Sequence, residues 1–152
     1  PSDPLERTEL SALVASVVEE FEDMGEAVEL GATERIVLPL RSTWLRRALR
    51  NLIGNGLRYG HTARVSVTRE ERSAIVRIED DGPGIPDADI ARMVEPFTRG
   101  EPSRNTETGG AGLGLTLARA IADQHGGSLD LVNRHAADGR IAGLTAILRL
   151  PL

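Results

Sequence analysis

The 152-residue sequence predicts an α/β domain of the α+β kind: a two-layer sandwich in which a mixed, mostly antiparallel sheet carries three main helices on one face. Three observations lead there. Apolar residues recur at helical spacing in three stretches; several short segments alternate apolar and polar residues; and a 40% hydrophobic fraction over this length suits one core. Residues 1–152 therefore read as a single domain, and neither an internal repeat nor a low-complexity tract interrupts it.

The elements follow in order. Leu10, Leu13, Val14, Val17, Val18 and Phe21 repeat with helical period, and Gly25 follows as a stop. Segments 27–30 and 35–38 have strand-like composition, after which 44–59 returns to helical period. Segments 62–69 and 73–80 alternate, with Val65 and Val67 on one face of the first and Val76 and Ile78 on one face of the second, which predicts an antiparallel hairpin. Residues 83–112 are rich in Gly, Pro, Ser, Thr and Asn, and form too long a stretch for a simple connection, so they read as a functional loop or lid. Leu113, Leu117, Ala118, Ile121 and Ala122 give a third helix closed by Gly126 and Gly127, and segments 128–132 and 144–150 supply two final strands.

Composition excludes several chemistries. With no cysteine there is neither a disulfide nor a thiolate site, and His61, His125 and His135 are too scattered for a zinc cluster. The net charge of −5 argues against general affinity for nucleic acid or acidic membrane, so any phosphate binding must be local. No apolar run approaches the roughly 20 residues that cross a bilayer, and residues 1–9 lack the pattern of a signal peptide, so the expectation is a soluble domain without direct membrane insertion. All 18 basic residues are arginine, which suggests a high-GC coding bias.

Three short motifs could carry chemistry. In "RNLIGNGLRYG", residues 50–60, a helical wheel buries Leu45, Ala48, Leu49, Leu52 and Gly56 and gathers Arg47, Asn51, Asn55 and Arg58 on the flank. An amide oxygen suits Mg²⁺, which draws its other oxygens from phosphates and water, and an arginine fork suits phosphate. Gly54 and Gly56 each weaken the helix by ~1 kcal/mol, which is understandable where backbone or ligand must come close. Read alone, the two asparagines fit a solvated flank as well. In "IEDDGPGIP", residues 78–86, a strand ends in acid and enters a Gly-Pro-Gly turn; Asp81 at the sheet edge could accept from an adenine amino group, with Gly82 and Gly84 admitting a flat ring, although a plain surface turn has the same composition. In "TGGAGLGL", residues 108–115, a flexible segment enters a helix start whose free N–H groups favour phosphate. It fits neither the dinucleotide G-x-G-x-x-G nor a Walker loop, and a glycine-rich linker remains open as a reading.

In this order and spacing the three motifs resemble the N, G1 and G2 boxes of the catalytic ATP-binding domain of sensor histidine kinases, within the superfamily of gyrase, MutL and heat-shock-protein ATPases. "EPFTRG", residues 95–100, is similar to the F box between them, and "HGG", residues 125–127, to the segment after the third helix. The resemblance implies a Bergerat-type sandwich that binds ATP with Mg²⁺. It makes Asn55 the metal ligand, sets Asn51, Arg58 and Tyr59 at the triphosphate and nucleoside, and gives Asp81 the adenine amino group. Asn51 and Arg58 are thereby the candidate catalytic residues. Gly82, Gly84, Ile85, Phe97, Arg99, Gly110, Gly112, Leu113, Gly114 and Leu115 would shape the pocket and lid. Arg58 stands where a lysine is common, Thr98 where an aromatic is common, and Gly56 where alanine is usual.

The ATPase branches of the superfamily resemble one another in a glutamate four residues before the metal asparagine, where it can act as general base. That position here is Asn51, whose amide cannot take a proton, which favours the kinase branch. The kinase resemblance implies transfer of the γ-phosphoryl group to a histidine on a separate helical dimerisation domain, and a cognate response regulator downstream. It also implies the cytoplasmic side of a plasma-membrane sensor. No histidine here has an acceptor-like context: His125 reads as a helix-dipole residue, His61 and His135 as loop residues. The alternatives are an ATPase of the same superfamily and an ATP-sensing module without transfer.

Overall fold

The computed structural model describes residues 3–86 and 111–152, with the side chains of 111–113 outside that description. Strand β1 (Glu6–Glu9) pairs antiparallel with β3 (Val37–Leu40) in a two-stranded sheet. Between them lie α1 (Leu10–Asp23) and β2 (Val28–Thr33). The Glu9 carboxylate caps α1 by accepting from the N–H groups of Ser11 at 2.6 Å and Ala12 at 3.4 Å. Leu10, Leu13, Val14, Val17 and Val18 bury one face of this helix, and Gly25 beyond it adopts φ +80°.

Helix α2 (Ser42–Gly60) takes its N-terminal caps from distant residues. The Trp44 N–H donates to Asp3 Oδ2 at 2.9 Å, and the Arg41 N–H donates to His125 Nε2 at 3.0 Å. The helix ends at His61, in the left-handed region at φ 64°, whose N–H donates to Leu57 O. Strands β4 (Ala63–Glu70) and β5 (Ser73–Asp80) form the expected hairpin, with Glu71 at φ 53° in its two-residue turn. Helix α3 (Ala111–Gln124) and strands β6 (Ser128–His135) and β7 (Ile141–Pro151) complete the domain.

The five-stranded sheet has the order β2-β4-β5-β7-β6, with β2 parallel to β4 and the other pairs antiparallel, so the expected mixed sheet is present. Its inner face, carrying Val65, Val67, Val76, Ile78, Leu148 and Leu150, packs with Leu45, Leu49, Leu52 and Ile53 of α2 and with Leu115, Ala118, Ile121 and Ala122 of α3 in one hydrophobic core. The small β1–β3 sheet was not foreseen. His125 follows the C-terminal end of α3, where its Nδ1 meets the last-turn carbonyl Ile121 O at 2.8 Å, while Nε2 accepts from the Arg41 N–H at 3.0 Å and ties the helix end to the start of α2. His61 is exposed in the connection just beyond α2, as expected, whereas His135 ends strand β6 instead of lying in a loop.

Candidate functional site

Alternation along β5 decides where its last residue, Asp80, and the adjoining Asp81 go. Val76 and Ile78 face the core, so Asp80 shares their face and Asp81 takes the opposite one. Asp80 is buried at 6% exposure, packed under the last turns of α2. A Cβ on Gly60 would come within 2.6 Å of Asp80 Cβ and 2.8 Å of its Oδ1, so only glycine admits this carboxylate; Gly56 offers an ordinary 3.5 Å contact. Asp80 Oδ1 accepts from the Gly82 N–H at 2.8 Å. Burial pushes the Asp80 carboxyl above its ordinary range, against the lowering effect of that N–H.

Asp81 is placed differently from the expectation of a free acceptor. Its carboxylate accepts from both terminal nitrogens of Arg64 at 2.9 and 3.1 Å, from Arg134 Nη2 at 2.6 Å and from the Thr62 hydroxyl at 3.2 Å. The Arg64 guanidinium, helped by Thr62 and Arg134, holds its pKa down at about 2. The turn glycines are also required by the packing of the chain itself. A Cβ on Gly82 would lie 2.6 Å from Tyr59 O, and one on Gly84, at φ +70°, would run into Asn133 Oδ1 and Ile141 Cγ2.

Asn51 and Asn55 are half-buried, one turn apart on α2. Gly114, in the first turns of α3, faces Asn51: a Cβ there would lie 3.9 Å from Asn51 Cβ and Cγ. Arg58 is exposed, its guanidinium carbon 5.9 Å from the centroid of the 40%-exposed Tyr59 ring. Gly112 and Leu113 belong to the first turn of α3, Leu115 is buried in the core, and Ile85 is partly buried against it. Phe97, Arg99 and Gly110 lie outside the described residues. The structure thus brings Asn51 beside Gly114 and sets Asp80 beneath the end of α2, while Asp81 is on the other face of the sheet. Sequence reasoning passed over Asp80, Gly60 and Asn133, although the parity of Val76 and Ile78 already pointed to Asp80.

Among the described residues, no group of three or more His, Cys, Asp or Glu side chains is placed to hold a metal, and no helix is long and apolar enough to cross a membrane. A family profile described as "Histidine kinase-, DNA gyrase B-, and HSP90-like ATPase" matches residues 40–152. The chain belongs to this family. Relatives of this histidine-kinase ATPase domain include the sensor histidine kinase GtrS of Pseudomonas aeruginosa, 34% identical over 97% of this chain and 29% of GtrS. The histidine kinase domain of the Escherichia coli osmosensor EnvZ is 30% identical over all of this chain and 91% of that one, with a TM-score of 0.73. The ATP-binding domain of PrrB from Mycobacterium tuberculosis superposes with a TM-score of 0.75 over 98% of each chain; its 22% identity shows a shared fold and does not identify this chain with PrrB. The chain spans less than a third of the length of GtrS, and 23% of the E. coli sensor histidine kinase CpxA.

Proposed function

We propose that this domain binds Mg·ATP and presents its γ-phosphoryl group to a histidine on a separate helical dimerisation domain of the same protein, within a two-component sensor kinase that in turn phosphorylates a response regulator. The observation that carries the nucleotide reading is the buried Asp80 carboxylate, set against a glycine of α2, the helix that bears Asn51 and Asn55. A carboxylate is acceptor-only, so it recognises an amino group such as that of adenine. We assign that role to Asp80 instead of Asp81, whose oxygens are already engaged by two arginines and a threonine.

The donor set fits Mg²⁺: Asn55 offers a neutral amide oxygen on the flank of α2, and the triphosphate supplies charged oxygens. Bound there, the cation neutralises charge on the phosphates. Asn51, beside Gly114, orients the phosphate end and cannot serve as a base, while the first turns of α3 offer backbone N–H groups to phosphate. Arg58 adds a cation at the same helix end. Positioning and charge neutralisation are what phosphoryl transfer requires of a protein. The cytoplasmic side of a membrane-anchored sensor is the location this reading implies.

The test is transfer. The 152-residue chain incubated with labelled ATP should bind nucleotide yet neither label itself nor hydrolyse it appreciably. Adding the helical histidine domain, ideally fused ahead of Pro1, should give an acid-labile label by raising the acceptor's effective concentration. Acid-stable label, or hydrolysis at the rate of a dedicated ATPase, would instead place the chain in another branch.

A further inference from the structure

Two polar side chains are buried among the described residues, Asp80 and Asn133, and they sit on one row of the sheet. Asp80 pairs with Leu144 of β7, and Leu144 pairs in turn with Asn133 of β6, so both polar groups face inward at the same end. Each grips one end of the turn that follows β5. Asp80 Oδ1 accepts from the Gly82 N–H at 2.8 Å; Asn133 Oδ1 accepts from the Ile85 N–H at 2.9 Å, and Asn133 Nδ2 donates to Ile85 O at 2.5 Å. The orientation of the amide is forced, because Ile85 presents one donor and one acceptor.

We infer that Asn133 is a positioning residue for the nucleoside site: its carboxamide takes the place of a peptide unit in a neighbouring strand, docks Ile85 onto β6, and so holds the Gly82 N–H on the Asp80 carboxylate. Among the described residues no strand pairs with 82–86, so the side-chain amide supplies the donor and acceptor that a ladder would otherwise give. Gly84 supports the same geometry, since its left-handed φ of +70° turns the chain toward Asn133, and any side chain there would collide with the amide oxygen and with Ile141. Without the amide, Ile85 loses two hydrogen-bond partners at once, and of the described hydrogen bonds of the turn the one from the Gly82 N–H remains. The Asp80 carboxylate then keeps its backbone hydrogen bond from Leu144, but the Gly82 N–H no longer holds its Oδ1 in one place.

This inference rests on the ATP reading above, and its test separates the two. Asn133→Ala and Asn133→Leu, the second restoring bulk without hydrogen bonds, are prepared in the full chain. Folding is checked by melting, ADP and ATP affinity by calorimetry with and without Mg²⁺, and the Ile85 amide by hydrogen exchange. Folded variants should lose Ile85 protection and bind ADP and ATP about tenfold more weakly. The ratio of ATP affinities with and without Mg²⁺, set at Asn55, should be unchanged. A residue that served only stability would lower the melting temperature and leave the affinity of the folded protein as in wild type, and that result overturns the inference, as does retained Ile85 protection. Wild-type protein with no adenine-nucleotide affinity would overturn the ATP reading, while loss of Ile85 protection in the variants would still bear out the docking of the turn.

Discussion

Two neighbouring carboxylates, Asp80 and Asp81, respond to pH with opposite signs. Burial raises the folded pKa of Asp80 above its unfolded value, so its contribution is most favourable below about pH 4 and is lost as pH rises through the folded value. Asp81, held at about 2 by Arg64 and its other partners, stabilises the fold above about pH 4 and loses that contribution as pH falls toward 2. Asp80→Asn should therefore raise the melting temperature of the nucleotide-free domain at pH 7, with the gain shrinking toward pH 4. It should also weaken adenine-nucleotide binding about 10- to 100-fold, as expected for loss of a charged acceptor. Asp81→Asn should leave nucleotide affinity within about twofold and cost at most about 1 kcal/mol, because the ion pairs it breaks are half-exposed. Calorimetry and melting on the two variants decide which aspartate reads adenine; a folded Asp81→Asn that lost ATP would return the role to Asp81. At Asn55 the expected loss is of another kind. Asn55→Ala should remove most of the Mg²⁺ enhancement of ATP binding and leave ADP affinity without Mg²⁺ close to wild type, as titrations with and without the cation would show.

At the scale of the element, α2 shows which glycines are demanded and which are merely present. Gly60 is fixed by Asp80, whereas a Cβ on Gly54 would meet nothing within 4 Å, and its φ is not positive. Gly54→Ala should stabilise the domain by about 0.5–1 kcal/mol through helix propensity alone, measurable by urea denaturation. If it also weakens ATP binding, the open space above Gly54 is ligand space, and the sequence's tolerance of that glycine is explained. The same element shows what periodicity makes legible. The repeats in α1, α2 and α3 and the alternation of β4 and β5 report burial of one face, which is why those elements could be read from the chain. Strand β1, reading Glu-Arg-Thr-Glu, has no apolar rhythm and exists through its pairing with β3 some thirty residues on. Asn133 was equally invisible: an amide on an edge strand looks solvated until Ile85, 48 residues away in sequence, is brought against it. Asp80 was legible from the parity of Val76 and Ile78, but the adjoining acid offered a second candidate, and only burial separates them.

Over the whole molecule, the proposed ligand would touch the parts that hold the domain together. Asp80 ends β5, the central strand of five; Asn51 and Asn55 lie on α2; Gly114 opens α3; and the turn after β5 is docked on β6. A ligand spanning these elements opposes global unfolding instead of tightening one loop, so its binding free energy should appear in a single shifted melting transition. At a Mg·ATP concentration about 100 times the dissociation constant, linkage gives about 2.7 kcal/mol, and a domain of this size gains roughly 5–10 °C. Asp80→Asn sharpens the expectation. It begins above wild type without nucleotide, because a buried charge has been removed, but gains less at each ATP concentration, because the acceptor for the amino group has gone with it. The two melting curves plotted against ATP concentration should therefore cross. Parallel curves would show that Asp80 does not read the nucleotide, and a wild-type melting temperature indifferent to Mg·ATP would remove nucleotide binding from the domain.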